Sequence, residues 1–153
     1  MKLTKYSDER MMRENTNRLS AEQVKELVEL VRGMLSSFPE VAFAYVYGSC
    51  LLAKKGEKGF VLPGDIDVAV YVTRGDPIRL ELELQLEFHR LTGLPPEVLD
   101  VRSLNKAPVS IAIEIITRGE LLFCQDKTSH SDFVERIGNT YRQVRGLIEV
   151  AYG

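Results

Sequence analysis

The sequence predicts an α/β (α+β) domain in which helices pack on a small mixed β-sheet. Three observations carry this. Segments with helical apolar spacing alternate with short β-branched and aromatic runs in the order α-β-β-α-β-α-β-α. The connections carry Pro and Gly turn signals, with no internal repeat and no low-complexity tract. The 153 residues, 44% of them hydrophobic, suffice for one core. At that length folding buries roughly 68–70% of the unfolded chain's surface, so neither a disulfide framework nor a structural metal is required. Residues 1–19 are polar and without clear periodicity, which predicts an N-terminal arm, and residues 20–153 form the single expected domain.

The first helix is announced by Ser20-Ala21-Glu22-Gln23, which has the form of a capping box. Val24, Leu27, Val28, Val31, Met34, Leu35 and Phe38 follow at helical spacing, and Pro39 ends the run. Val41–Tyr47 (VAFAYVY) has no polar interruption and predicts a strand covered on both faces, stopping at Gly48. A loop rich in lysine and glycine follows. Residues 66–72 (IDVAVYV) predict the second strand between Pro63-Gly64 and Gly75. Asp76-Pro77 forms an N-cap and first-turn pair and Gly93 a stop, which predicts a helix over residues 77–92. Its apolar residues also alternate as in a strand, but Leu, Glu, Gln and Arg are helix formers and the caps agree with a helix. Beyond Pro95-Pro96, residues 97–103 predict a third strand, 108–117 a short helix, 121–124 a fourth strand and 131–152 a final helix. In that last helix Phe133, Ile137, Tyr141, Val144, Leu147, Ile148 and Ala151 share helical spacing.

Twenty basic against 22 acidic residues leave a formal charge of −2, which gives no electrostatic basis for an extended nucleic-acid surface or for an anionic membrane. No stretch approaches 18 uninterrupted apolar residues, and the charged start lacks a signal-peptide core. Cys50 and Cys124 are isolated from each other and from His89 and His130, so zinc-ligand spacing is absent and the thiols read as reduced. These features predict a cytoplasmic protein.

Asp65 and Asp67 flank Ile66 at the entrance to the second strand. Residues two apart in a strand face the same way, so these carboxylates converge while Ile66, Val68, Val70 and Val72 anchor the opposite face. Adjacent anions repel unless a cation lies between them, and Mg²⁺ prefers such oxygen ligands. A solvated turn containing two aspartates is the plainer reading of this pair. Gly48-Ser49 closes the first strand where backbone N–H groups and a hydroxyl can approach phosphate, or where a strand simply turns. Asp100 lies in EVLDVRS between Leu99 and Val101, on a face expected to include Val98 and Arg102. An edge-strand acid paired with Arg102 is its alternative. Phe43, Tyr45 and Tyr47 read as packing, Cys50 as structural, both histidines as satisfied or surface groups, and Lys54, Lys55 and Lys58 as solvated.

Taken together, GSCLLAKKGEKGFVLPGDID (residues 48–67) and the acid of EVLDVRS resemble the GS…DxD…D signature of the DNA polymerase β-like nucleotidyltransferase superfamily. The small size is similar to the minimal nucleotidyltransferases (MNT) of HEPN/MNT toxin–antitoxin pairs. The resemblance spans roughly residues 20–125, and the last helix is compatible with it. Fifteen residues separate Ser49 from Asp65, a longer interval than is usual in the family, and Gly64 stands where many members have serine.

The resemblance implies a polymerase β-like fold and Mg²⁺-dependent transfer of AMP from ATP to a hydroxyl of a partner protein, with release of pyrophosphate. Asp65, Asp67 and Asp100 would be the catalytic and metal-binding residues, for two Mg²⁺ ions, and Gly48 and Ser49 would position the nucleotide's phosphates. A HEPN-type toxin is the implied partner, with this chain as its antitoxin; a homo-oligomer is compatible. The alternatives are a binding module that neutralises a toxin without chemistry and a small-molecule nucleotidyltransferase. The short stretch after the last strand leaves little room for an acceptor pocket and favours a protein acceptor.

Overall fold

The computed structural model describes residues 19–54 and 64–152. Lys55, Lys58 and all of the expected arm except Leu19 lie outside the described residues. Leu19 itself is buried in the core beside the first helix. The elements are α1 (Ala21–Leu35), β1 (Val41–Tyr47), α2 (Ser49–Lys54), β2 (Ile66–Val72), α3 (Pro77–Thr92), a 3₁₀ turn (Pro96–Val98), β3 (Leu99–Ser103), α4 (Val109–Arg118), β4 (Glu120–Cys124) and α5 (Lys127–Tyr152). Among the described residues no helix is long and apolar enough to cross a membrane.

The strands form one mixed sheet in the order β3-β2-β1-β4. β1 runs antiparallel to both β2 and β4, and β2 runs parallel to β3. A parallel pair needs a crossover, and α3 supplies it. Helices cover both faces. On one, Val24, Leu27, Val28 and Val31 of α1 and Leu80, Leu84 and Phe88 of α3 pack with Val46, Ile66, Val68, Val70, Leu99 and Val101. On the other, Ala112 and Ile115 of α4 and Phe133 and Ile137 of α5 pack with Phe43, Tyr45 and Ala69. Phe43 stacks on Tyr71 with ring centroids 5.1 Å apart, and its edge meets His130 at 4.8 Å. The period-2 pattern of β2 therefore sends its valines to one core and leaves Asp67, Ala69 and Tyr71 on the other face.

The capping box forms as the sequence implied: Ser20 Oγ accepts from the Gln23 N–H at 3.1 Å, and the Ser20 N–H donates to Gln23 Oε1 at 2.8 Å. Ser20→Ala is expected to lower unfolding free energy by about 1 kcal/mol, read as a shifted urea midpoint without loss of helix at low denaturant.

Four differences from the sequence reading have local causes. The chain after Gly48 forms α2, six residues that are too short to display a periodic pattern. The third strand begins at Leu99 rather than residue 97, because Pro95-Pro96 directs Pro96–Val98 into a 3₁₀ turn. Val98 is consequently buried with Leu99 in the first core and does not share the face of Asp100. In α3 only alternate members of the apolar series are used: Leu80, Leu84 and Phe88 point inward at four-residue intervals, while Ile78, Leu82 and Leu86 are exposed. That spacing resolves the helix–strand ambiguity in favour of the helix. Finally, α5 starts at Lys127, and only its first half packs on the sheet; Tyr141, Val144, Leu147 and Ile148 are exposed.

Candidate functional site

The C-terminal end of β1 and the N-terminal ends of β2 and β3 lie side by side, and the carboxylates gather there on the face covered by α4 and α5. The antiparallel register sets Tyr47 opposite Asp67, and the parallel register sets Asp67 opposite Asp100. Asp65, one step before β2, completes the group. One oxygen from each of Asp65, Asp67 and Asp100 lies within 4.8 Å of the others, and all three residues are half-buried. Asp100 does lie on an edge strand, but it contributes an oxygen to this cluster beside Asp67. Neither a solvated turn nor an Asp100–Arg102 pair by itself produces that convergence.

Gly48 fits against this cluster because it has no side chain. Its φ is +77°, and a Cβ added there would lie 2.5 Å from Asp67 Oδ2. β1 thus leaves the sheet in a left-handed turn that brings backbone up to a carboxylate, and Ser49 opens α2 immediately after it. Below the turn, buried Cys50 joins the two strands: its thiol donates to the Tyr47 carbonyl at 3.0 Å and accepts the Asp67 N–H at 3.4 Å. Burial pushes the Cys50 thiol up to about 12, so it stays protonated and acts as a strut rather than a nucleophile.

The acids are held against their mutual repulsion. Burial, then the charge of Asp65 and the hydrogen bond and charge of Asp100, push Asp67 up to about 7, with Arg102 opposing the shift. Asp65 is raised as well, first by burial and then by Asp100. A divalent cation suits this donor set: three convergent oxygens carry more negative charge than the protein environment neutralises. The sign of the pH dependence follows. Asp67 binds its proton more tightly folded than unfolded, so between its ordinary value near 3.8 and about 7 the metal-free fold loses stability as pH rises. After discounting for the exposed part of the group, about 1–2 kcal/mol is expected to be lost from pH ~4 to pH ~8. Urea unfolding in chelator across that range checks this, and Asp67→Asn is expected to flatten most of the dependence.

A cavity of about 350 Å³ opens on the cluster, lined by Tyr47, Asp67, Asp100, Arg102, Ile111, Glu114 and Ile115. The sequence reading assigned Tyr47 to packing alone; it is half-buried beside Asp67, and burial together with that acid pushes its hydroxyl up to about 12. Ile111, Glu114 and Ile115 arrive from α4 and carried no local signal. A larger groove of about 760 Å³ runs between α1 and α3 on the other face; Glu26, Glu29 and Glu87 line it, but among the described residues only Asp65, Asp67 and Asp100 converge closely enough to share a metal ion. Both histidines are satisfied: His89 Nδ1 meets the Leu94 carbonyl and His130 Nε2 the Tyr45 hydroxyl, each at 2.7 Å.

Residues 29–128 match the family described as Polymerase beta, Nucleotidyltransferase. The chain belongs to that family. Among solved structures, the toxin–antitoxin complex MntA–HepT superposes on this nucleotidyltransferase with a TM-score of 0.55 at 15% identity, over 84% of this chain and 98% of the other. The MNT antitoxin bound to a tri-AMPylated HEPN toxin of Shewanella oneidensis gives 0.53 at 16% identity, over 82% and 99%. A toxin–antitoxin structure with AMP-PNP gives 0.55 at 15%, over 84% and 98%. At such identities the likeness establishes the polymerase β nucleotidyltransferase fold. No protein of curated function matches the sequence. In this nucleotidyltransferase Asp65, Asp67, Asp100 and Gly48 come together in one site, with Ser49 at the adjoining helix start.

Proposed function

We propose that this nucleotidyltransferase transfers AMP from ATP to a hydroxyl of a HEPN-type toxin and thereby acts as its antitoxin. The observation that carries the proposal is the meeting of Asp65, Asp67 and Asp100 beside the glycine turn. Asp65 and Asp67 would hold one Mg²⁺, and Asp100 would join them in holding a second. Metal ions held there would supply charge neutralisation for an in-line displacement. Gly48 and Ser49 position the β- and γ-phosphates, and Ile111 and Ile115 line the cavity beside Asp67 and Asp100. The acceptor oxygen forms a bond to the α-phosphorus, the bond to pyrophosphate breaks, and the hydroxyl proton leaves to solvent.

The protein acceptor is favoured by one structural relative, an MNT antitoxin in complex with a tri-AMPylated HEPN toxin, and by the toxin–antitoxin MntA–HepT. A purely steric antitoxin has no use for three acids held together against repulsion. The test is incubation with labelled ATP, Mg²⁺ and the product of the neighbouring gene, the expected acceptor, followed by intact mass of both polypeptides. An increment of one or more AMP groups on the partner is expected. Absence of both labelled product and nucleotide binding would overturn the enzymatic reading.

A further inference from the structure

The face of α5 that covers the sheet does not stop where the sheet stops. Phe133 and Ile137 are buried beneath it, and the same face continues through Tyr141, Val144, Ile148 and Ala151. From Ile137 these residues follow at intervals of four, three, four and three, the 3.5-residue spacing of a seam that packs against another helix. Yet Tyr141 is 37% exposed, Val144 44%, Ile148 53% and the adjoining Leu147 70%. Water faces a surface patterned for burial.

We propose that this second half of α5 is the docking seam for a helix of the acceptor protein, one with its own apolar stripe flanked by carboxylates. The proposal rests on the function given above and names the surface it uses. The local charge is positive: Arg142 and Arg145 are the bases of residues 138–152, and Glu149 is the one acid there. The Arg145 guanidinium lies 6.0 Å from the centre of the Tyr141 ring, which holds a positive charge at the border of the seam. A second copy of the chain would add two more arginines to the same border. Size argues the same way. Four partly exposed side chains offer on the order of a few hundred Å² of apolar surface at most, less than the roughly 800 Å² per partner of a stable complex. Its occupant must therefore touch the chain elsewhere too. A protein acceptor brought to the carboxylates does so, whereas a second copy paired through the seam alone does not.

The test uses the full chain and the product of the neighbouring gene, the expected acceptor. Binding is measured by titration calorimetry for wild type, Val144→Asp/Ile148→Asp, Leu147→Glu and Asp65→Asn/Asp67→Asn. The exposed seam substitutions are expected to leave helical circular dichroism and ATP binding unchanged; the double one weakens the complex about 100-fold or more, and Leu147→Glu about tenfold. The aspartate variant, with its seam intact, is expected to bind the partner as wild type does. If wild type binds and both seam variants bind equally well, the seam assignment is overturned while the functional reading stands. If wild type does not bind that protein, both fall. A wild-type dimer in analytical ultracentrifugation that Val144→Asp/Ile148→Asp dissolves would assign the seam to a second copy instead.

Discussion

Asp67→Asn combined with Asp65→Asn is expected to lower AMP transfer by on the order of 10³-fold or more, about 4 kcal/mol of barrier, while leaving the fold at least as stable. The two halves of the result have one cause. Asp67 is held up at about 7 because burial and two neighbouring acids disfavour its charge. An amide keeps the shape and removes the repulsion, so the metal-free variant should unfold at equal or higher temperature than wild type. The same substitution removes the charge that, in the proposed reaction, would hold a cation against triphosphate. Transfer is read by intact mass of the partner, and stability by thermal unfolding in chelator and in Mg²⁺. Wild type should gain stability from Mg²⁺ and the variant little. A variant that still modifies its partner at wild-type rate would remove these carboxylates from the chemistry. One that modifies nothing yet still relieves toxicity in full would leave neutralisation by binding alone.

Gly48→Ala is expected to cost about 100-fold in transfer and about 2 kcal/mol in stability. Two terms combine. A non-glycine residue at φ +77° costs roughly 1–2 kcal/mol. The new methyl also lies 2.5 Å from Asp67 Oδ2, a distance that cannot persist. Because the obstructed atom ends a side chain, the carboxylate can swing away more cheaply than the backbone can move. Asp67 then leaves the cluster, and a displacement of about 1 Å at a reacting site costs on the order of 10²-fold. Gly75→Ala separates the terms: its φ is +83°, but nothing lies within 4 Å of the added Cβ. It should lose about 1 kcal/mol of stability and no activity. Equal activity in the two variants would exclude the close approach of Gly48 to Asp67 as a requirement.

Much of this fold was legible because its signals are local. The Ser20 cap, the Asp76-Pro77 start and the Gly93 stop each lie within a few residues of what they control, and α3 spans Pro77–Thr92 as those signals implied. The acids were legible too, since a charged residue in a strand conflicts with its apolar neighbours. The helix α2 was not, because six residues complete too few turns for a period to emerge. Val98 was assigned to the wrong face because alternation was extended through a segment that Pro96 had already turned out of the strand.

By itself the chain's order of residues determined the kinds of element, their succession and the chemical types available to a site, all of which depend on correlations a few residues long. Only the tertiary structure decided what those types do together. Parallel pairing of β2 with β3 puts Asp67 opposite Asp100, a juxtaposition set by sheet order and not by spacing along the chain. Tyr47 becomes part of the cavity through its antiparallel register with Asp67, and Ile111 and Glu114 through the docking of α4. The same distinction separates the two halves of α5: one apolar spacing runs through both, and the extent of the sheet beneath determines which half is core and which is surface.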